Sequence, residues 1–209
     1  MGQRRWFGTD GIRGRVGKVP MTPAFVASVG AAAGKFFSKE SPGGTVLVAR
    51  DTRGSGPELE GALAAGLESV GMKVLRVGVL PSGAAAMIVP AMGACAGAIL
   101  SASHNPAEDN GLKFCRGDGR KLEDAEEEQI EAFLDYENPP GFAAKAGGAD
   151  FHALPEAVEA YRKKLRAGFG PGFTLRGVRV VVDAANGAAW KTAPEILKGF
   201  GAEVEAIGD

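Results

Sequence analysis

A chain of 209 residues, 45% hydrophobic and 23% charged, has the composition of an ordinary globular protein and the length for one large or two small domains. Its 24 Lys and Arg against 25 Asp and Glu leave a net charge of −1, which argues against a general nucleic-acid or membrane-surface role. Cys95 and Cys115 lack the spacing of a metal or redox pair and read as buried or part-buried thiols in a reducing compartment.

No apolar stretch follows Arg4-Arg5, so no signal peptide is expected. The stretch Gly8-Thr9-Asp10-Gly11-Ile12-Arg13-Gly14 places three glycines in seven residues. Glycines let backbone N–H groups approach an anion, and Arg13 can fork onto phosphate. A glycine-rich turn with a structural Asp10–Arg13 pair is the equal alternative. Thr22-Pro23 then opens a helix, Thr22 as N-cap and Pro23 in the first position. Phe25, Val26, Val29, Ala32, Ala33 and Phe36 follow at helical spacing and belong to the core. Ser41–Gly44 is a turn and Thr45–Ala49 a strand. The loop Arg50–Pro57 leaves the carboxyl end of that strand. It reads as a salt-bridged turn in which Ser55 caps a helix over 57–70. Lys73–Val77 is the next strand.

Val77 to Ser103 carries no charge, but Pro81, Gly83, Pro90, Gly93 and Gly97 interrupt it. It reads as a buried helix and a buried strand rather than a membrane span. That strand, Ala96–Leu100, ends abruptly in Ser101-Ala102-Ser103-His104-Asn105-Pro106. Pro106 biases Asn105 away from helix. Asn110-Gly111 is a tight-turn signal, which predicts a returning strand over Leu112–Cys115 that brings Lys113 back toward the loop. In α/β proteins ligands sit outside the carboxyl ends of strands. A serine needs a base or cationic partners to act as a nucleophile, and His104 and Lys113 are the neighbours in view. Turn hydroxyls bonding their own backbone are the plainer alternative.

An acidic helix is expected over 122–137, with Leu122, Ile130, Phe133 and Leu134 inward and Glu126-Glu127-Glu128 as a solvated face. Asn138–Gly141 and Gly147-Gly148 mark a boundary. His152 stands alone as a structural residue. A helix over 155–167 follows, with Val158, Tyr161 and Leu165 inward and Arg162-Lys163-Lys164 as a solvated end. Val178–Asp183 is a strand, Asn186-Gly187 a turn, 188–198 a helix and 201–208 a closing strand. This last unit repeats 45–78: both first strands end in aspartate, Asp51 and Asp183, and both second strands begin after a glycine, Gly71 and Gly201. The reading is a weak duplication of a strand–helix–strand unit. The fold class is therefore α/β, one full domain and the opening of a second like it. The lone second unit is too small to hold a core of its own, and its apolar face is expected to be mobile or to pack on a neighbour.

Phe7–Gly14, Asp51-Thr52-Arg53 with Ser55-Gly56, and Ser101–Pro106 with Asn110–Phe114 strongly resemble the α-D-phosphohexomutases. Within them the bacterial phosphoglucosamine mutase branch is most similar, because of the form Gly-Thr-Asp-Gly-Ile-Arg-Gly at residues 8–14. Asp183–Ala188 resembles the opening of the family's second domain. The resemblance implies a mixed, mainly parallel sheet with helices on both faces over residues 1–150, and the truncated start of a similar domain over 151–209. It implies a phosphoserine enzyme with Ser103, not Ser101, as nucleophile. His104, Lys113 and Arg13 would be its companions in the site. The implied reaction converts glucosamine 6-phosphate to glucosamine 1-phosphate through a 1,6-bisphosphate that also serves as activator. It would feed amino-sugar nucleotide and cell-wall precursor synthesis in the cytoplasm.

One Mg²⁺ is implied, held in this chain only by a phosphate oxygen on Ser103. The implied partner is a small sugar phosphate, with no nucleic acid and no membrane. The family's Asp-x-Asp-x-Asp-Arg metal loop, sugar-recognition loop and C-terminal domain are not in these residues, and Pro81-Ser82-Gly83 stands where relatives have Pro-Thr-Pro. Members run to about twice this length, so the chain is expected to be an N-terminal fragment, inactive alone. A phosphoglucomutase or phosphomannomutase, and a non-catalytic sugar-phosphate-binding module, are the other readings.

Overall fold

The computed structural model of the chain describes residues 4–141 and 152–208. Its first unit holds β1 (Ile12–Arg15), α1 (Pro23–Phe37), β2 (Thr45–Arg50), α2 (Gly56–Ser69), β3 (Lys73–Val79), α3 (Ser82–Ile88), β4 (Ala96–Leu100), β5 (Asp109–Arg116) and α4 (Asp124–Ala132). The five strands form one sheet in the order β1-β5-β4-β2-β3. β2 is parallel to both β3 and β4, while β5 runs antiparallel to β4 and β1. Only β5 opposes the others, so the loops after β2 and β4 leave the same edge of the sheet.

Two cores cover the two faces. One joins Phe25, Val26 and Val29 of α1, Leu59, Leu63 and Leu67 of α2 and Ile130 of α4 to Val46, Val48, Ala98 and Leu112 of the sheet. The other joins Ala85 and Ile88 of α3 and Ala157 to Leu47, Ala49, Ile99 and Cys115. Strands buried on both sides read as continuous apolar runs rather than alternating ones, which is why β4 is apolar throughout and β2 is apolar from Val46 to Ala49. Thr22 caps α1 as expected, its Oγ1 accepting from Phe25 N at 3.3 Å, with Pro23 next. α1 and α2 cross with their backbones in contact: a Cβ at Gly66 would collide with the Ala27 carbonyl, and one at Gly30 with that of Leu63.

After Ala153 come α5 (Pro155–Phe169), β6 (Arg179–Asp183), α6 (Thr192–Gly199) and β7 (Glu203–Ile207). β6 and β7 pair in parallel, as β2 and β3 do. The duplication extends to the turns. Asp51 Oδ1 accepts from Arg53 N at 3.1 Å, and Asp183 Oδ1 accepts from Ala185 N at 2.8 Å. The second unit leaves Val178, Val181 and Ile207 exposed, Val181 by 64%, in line with a strand–helix–strand unit that cannot cover its own apolar face. The Gly147-Gly148 boundary lies outside the described residues.

Several local expectations need correction. Asn110-Gly111 is not a turn but lies inside β5, with Gly111 opposite Arg13 and Asn110 fully buried. The reversal happens earlier, where Asp109 N donates to Pro106 O at 3.1 Å. Ser55 precedes α2 without capping it, because its Oγ accepts from Asn110 Nδ2 at 2.9 Å instead. The acidic helix is shorter than its apolar pattern suggests, and Glu127 is not solvated. It is 3% exposed and paired to Arg4. α6 begins at Thr192 rather than near 188, since the chain first turns through left-handed Ala185 and Asn186.

Candidate functional site

The loop after β4 begins where Ser101 N donates to Gly111 O at 2.9 Å, the last link between β4 and β5. Ser103 then adopts φ +59°, in the left-handed region. Its N–H donates to Ser101 Oγ at 3.0 Å, so Ser101 spends its hydroxyl on the turn. Ser103 Oγ is exposed and lies 3.2 Å from His104 Nδ1. Of the two serines, only Ser103 offers a hydroxyl that meets an imidazole.

Arg13 and Lys113 share one face of the sheet, because Arg13 pairs with Gly111 and Gly111 and Lys113 are two apart on β5. Gly11 makes this approach possible: a Cβ there would strike the Leu112 carbonyl and the Lys113 side chain. Arg13 forms the expected ion pair with Asp10 at 3.2 Å and reaches the loop through Asn105 Oδ1 at 3.5 Å. Its Nε is buried with no partner among the described residues. Lys113 is half-buried, and burial first, then the Arg13 charge, lowers its pKa, opposed by Asp10 and Asp51.

A cleft of about 970 Å³ opens between this loop, the loop after β2 and the turn after β6. Ser103, His104 and Asn105 line it, as do Asn186, Trp190 and His152 from the far side. Arg13 and Lys113 do not reach its wall. His152, expected to be structural, packs its ring at 6.4 Å on that of Trp190 beside the cleft. Thr52 Oγ1 donates to Asn186 O at 2.6 Å and joins the two loops across the cleft.

The loop after β2 contains more than a salt bridge. Asp51 takes Arg53 N on Oδ1 at 3.1 Å and Arg53 Nε on Oδ2 at 3.0 Å. Behind them the buried Arg50 holds Glu60 at 3.3 Å and the Asp51 carbonyl at 3.5 Å. Asp51 is the one carboxylate among the described residues lining the cleft, and both its oxygens are engaged. No group of three His, Cys, Asp or Glu able to hold a metal occurs among the described residues. The described side chains therefore do not by themselves make a Mg²⁺ site. Among the described residues, no helix is long and apolar enough to cross a membrane.

A family model described as phosphoglucomutase/phosphomannomutase, alpha/beta/alpha domain I, matches residues 4–139. The chain belongs to the phosphoglucomutase/phosphomannomutase family. It is 46% identical over 99% of its length to a phosphoglucosamine mutase of Deinococcus deserti, and 44% identical over 99% to one of Thiobacillus denitrificans. In each case it covers 46% of the relative, so the chain spans about half the length of the curated relatives it matches. Among solved structures, a phosphoglucomutase/phosphomannomutase family protein from Burkholderia thailandensis superposes with a TM-score of 0.76 at 27% identity, over all of this chain and 44% of that one. The mixed α/β sheet with helices on both faces is thus the fold of domain I in this family.

Proposed function

We propose that the protein carrying this chain is a phosphoglucosamine mutase that interconverts glucosamine 6-phosphate and glucosamine 1-phosphate through phosphorylated Ser103 and a 1,6-bisphosphate. The observation that carries the proposal is Ser103 itself. Its exposed hydroxyl sits beside His104 at a cleft outside the carboxyl edge of a mainly parallel sheet, in a chain up to 46% identical to relatives of that name. In this reading residues 1–150 form domain I and 151–209 open domain II.

Phosphoryl transfer asks for positioning and charge neutralisation more than covalent work by the protein. A phosphoserine carries about −1.5 to −2 charges near neutral pH. Arg13 and Lys113 supply positive charge from one sheet face under the loop. His104 orients the group on Ser103 Oγ. In the first half-reaction the phosphorus–Oγ bond breaks as a bond to a sugar hydroxyl oxygen forms, and that hydroxyl gives up its proton; in the second, the phosphorus–oxygen bond at the other sugar position breaks as Ser103 Oγ takes that phosphoryl group, and the freed sugar oxygen takes a proton. Lys113, its pKa lowered by burial, is the proposed holder of a proton near the site. Mg²⁺ would offset phosphate charge when bound. Here only a phosphate oxygen on Ser103 would hold it, and its other ligands must come from outside these residues. The 209-residue chain alone is accordingly expected to bind sugar phosphate without turnover. A cytoplasmic site of action belongs to the same proposal.

The 27% identical structural relative keeps a phosphoglucomutase or phosphomannomutase reading in view. Turnover of glucosamine, glucose and mannose 6-phosphates by the full-length protein with Mg²⁺ and a catalytic amount of bisphosphate separates the two. The amino sugar is expected to give the highest kcat/KM. A preference for a neutral sugar would reassign the substrate, and no turnover of any of them would overturn the mutase proposal.

A further inference from the structure

Arg53 bonds with every N–H of its guanidinium, and four of the five point at the serine loop. Nη1 donates to the carbonyls of Pro106 at 2.5 Å and Asp109 at 2.9 Å; Nη2 donates to those of Ser103 at 3.0 Å and Asn105 at 2.8 Å. Nε is held by Asp51 at 3.0 Å, and the Arg53 side chain is 10% exposed. Four carbonyl dipoles aimed at one point repel one another unless a cation sits there. The loop is therefore wound around Arg53. We infer that Arg53 is the positioning residue of the nucleophile loop: it fixes the backbone on both sides of His104 and so aims Ser103 Oγ into the cleft.

The inference rests on the proposal that Ser103 is the nucleophile, but it concerns a residue that touches only Asp51 and loop carbonyls among its hydrogen bonds. Ser103 alone in this loop takes a positive φ, and it is the first of the four residues whose carbonyl Arg53 holds. Asp51 aligns the fork from the other side, and Arg50 on Glu60 braces Asp51 from beneath. A lysine cannot replace this fork, because an ammonium has three donors and no planar geometry. Such a residue acts on the reacting oxygen only through placement, so its loss should lower kcat and leave KM unchanged. A misplacement of roughly 1 Å is worth about 100-fold in rate.

The test uses the full-length protein with Arg53→Lys, Arg53→Ala and Asp51→Asn, read by steady-state kinetics on glucosamine 6-phosphate and by amide hydrogen exchange. Arg53→Lys should lose about 100-fold in kcat with KM unchanged. Amides of residues 103–108 should exchange faster while those of β4 and β5 stay protected. Added guanidinium should restore part of the activity of Arg53→Ala and none of that of Arg53→Lys. Asp51→Asn, which keeps the fork, should move both readouts the same way by less. Unchanged loop exchange in the two Arg53 variants would overturn the inference, as would a KM rise that carries the whole loss. Loss of protection throughout the sheet in all three variants would also overturn it, since Arg53 would then be a general stabiliser. A wild-type protein without mutase activity would sink the proposed function, while the exchange data alone would still decide this inference.

Discussion

The left-handed Ser103 makes a stability prediction opposite in sign to the usual one. Glycine is normally less stable than alanine by about 0.5–1 kcal/mol because its unfolded chain has more freedom. At φ +59° an L-residue is penalised by about 1–2 kcal/mol for the approach of its Cβ to the following carbonyl, and glycine escapes that penalty. Ser103→Gly should therefore be more stable than Ser103→Ala by about 0.5–1 kcal/mol, the difference of the two effects. Both variants delete Oγ, so the 3.2 Å contact with His104 cancels in the comparison. Ser101 is the control: its φ is not positive, and there glycine should be the less stable of the pair. Urea unfolding of the four variants reads the differences directly. A Ser103→Gly protein no more stable than Ser103→Ala would refute the claim that the loop holds this serine in a strained turn.

Other perturbations probe the packing and the charges. Gly66→Ala should destabilise by about 1–3 kcal/mol as α1 and α2 are forced apart, whereas Gly61→Ala in the same helix, with open space around it, should stabilise by about 0.5–1 kcal/mol; equal thermal midpoints would mean that the helices do not touch there. Lys113→Met should keep or raise the urea midpoint at neutral pH. Its folded pKa lies below the ordinary 10.5, so the charge opposes folding until pH rises to that value; the same variant should still lose phosphoryl transfer in the full-length protein. Burial pushes the Cys115 thiol up to about 11. At pH 8 its thiolate fraction is then about 0.1%, and alkylation by iodoacetamide should run at least about 100-fold slower than for a free cysteine. Because the unfolded chain releases this proton first, Cys115 should also weaken folding as pH rises from about 9 to about 11.

The sheet and its helices were legible because their signals are local. Thr22-Pro23 names a helix start, and the apolar runs Val46–Ala49 of β2 and Ala96–Leu100 of β4 name strands buried on both faces. The polar loop after β4 was legible from Ser101–Pro106, and the geometry separates its two serines, since Ser101 Oγ accepts from the Ser103 backbone. What escaped depends on partners far away in sequence. Asn110-Gly111 has the composition of a turn, but the β1 strand pairs with it and Ser55 takes the asparagine amide. Glu127 sits in an acidic run and is buried because Arg4 reaches it from the amino end. Arg53 followed an aspartate at a strand end and read as an ordinary ion pair; nothing local says that four carbonyls some fifty residues on will converge on it. Five guanidinium donors with one acceptor nearby in sequence, Asp51, was the available clue. His152 likewise gains its place only when the second unit brings Trp190 and Asn186 to the same cleft.

In the proposed mutase, Ser103 carries the phosphoryl group. Incubating the full-length protein with glucosamine 1,6-bisphosphate and Mg²⁺, then locating the phosphate by peptide mass spectrometry, tests it most directly. Phosphate is expected on Ser103, absent in Ser103→Ala and retained in Ser101→Ala. Phosphate on Ser101, or undiminished labelling in Ser103→Ala, would contradict it.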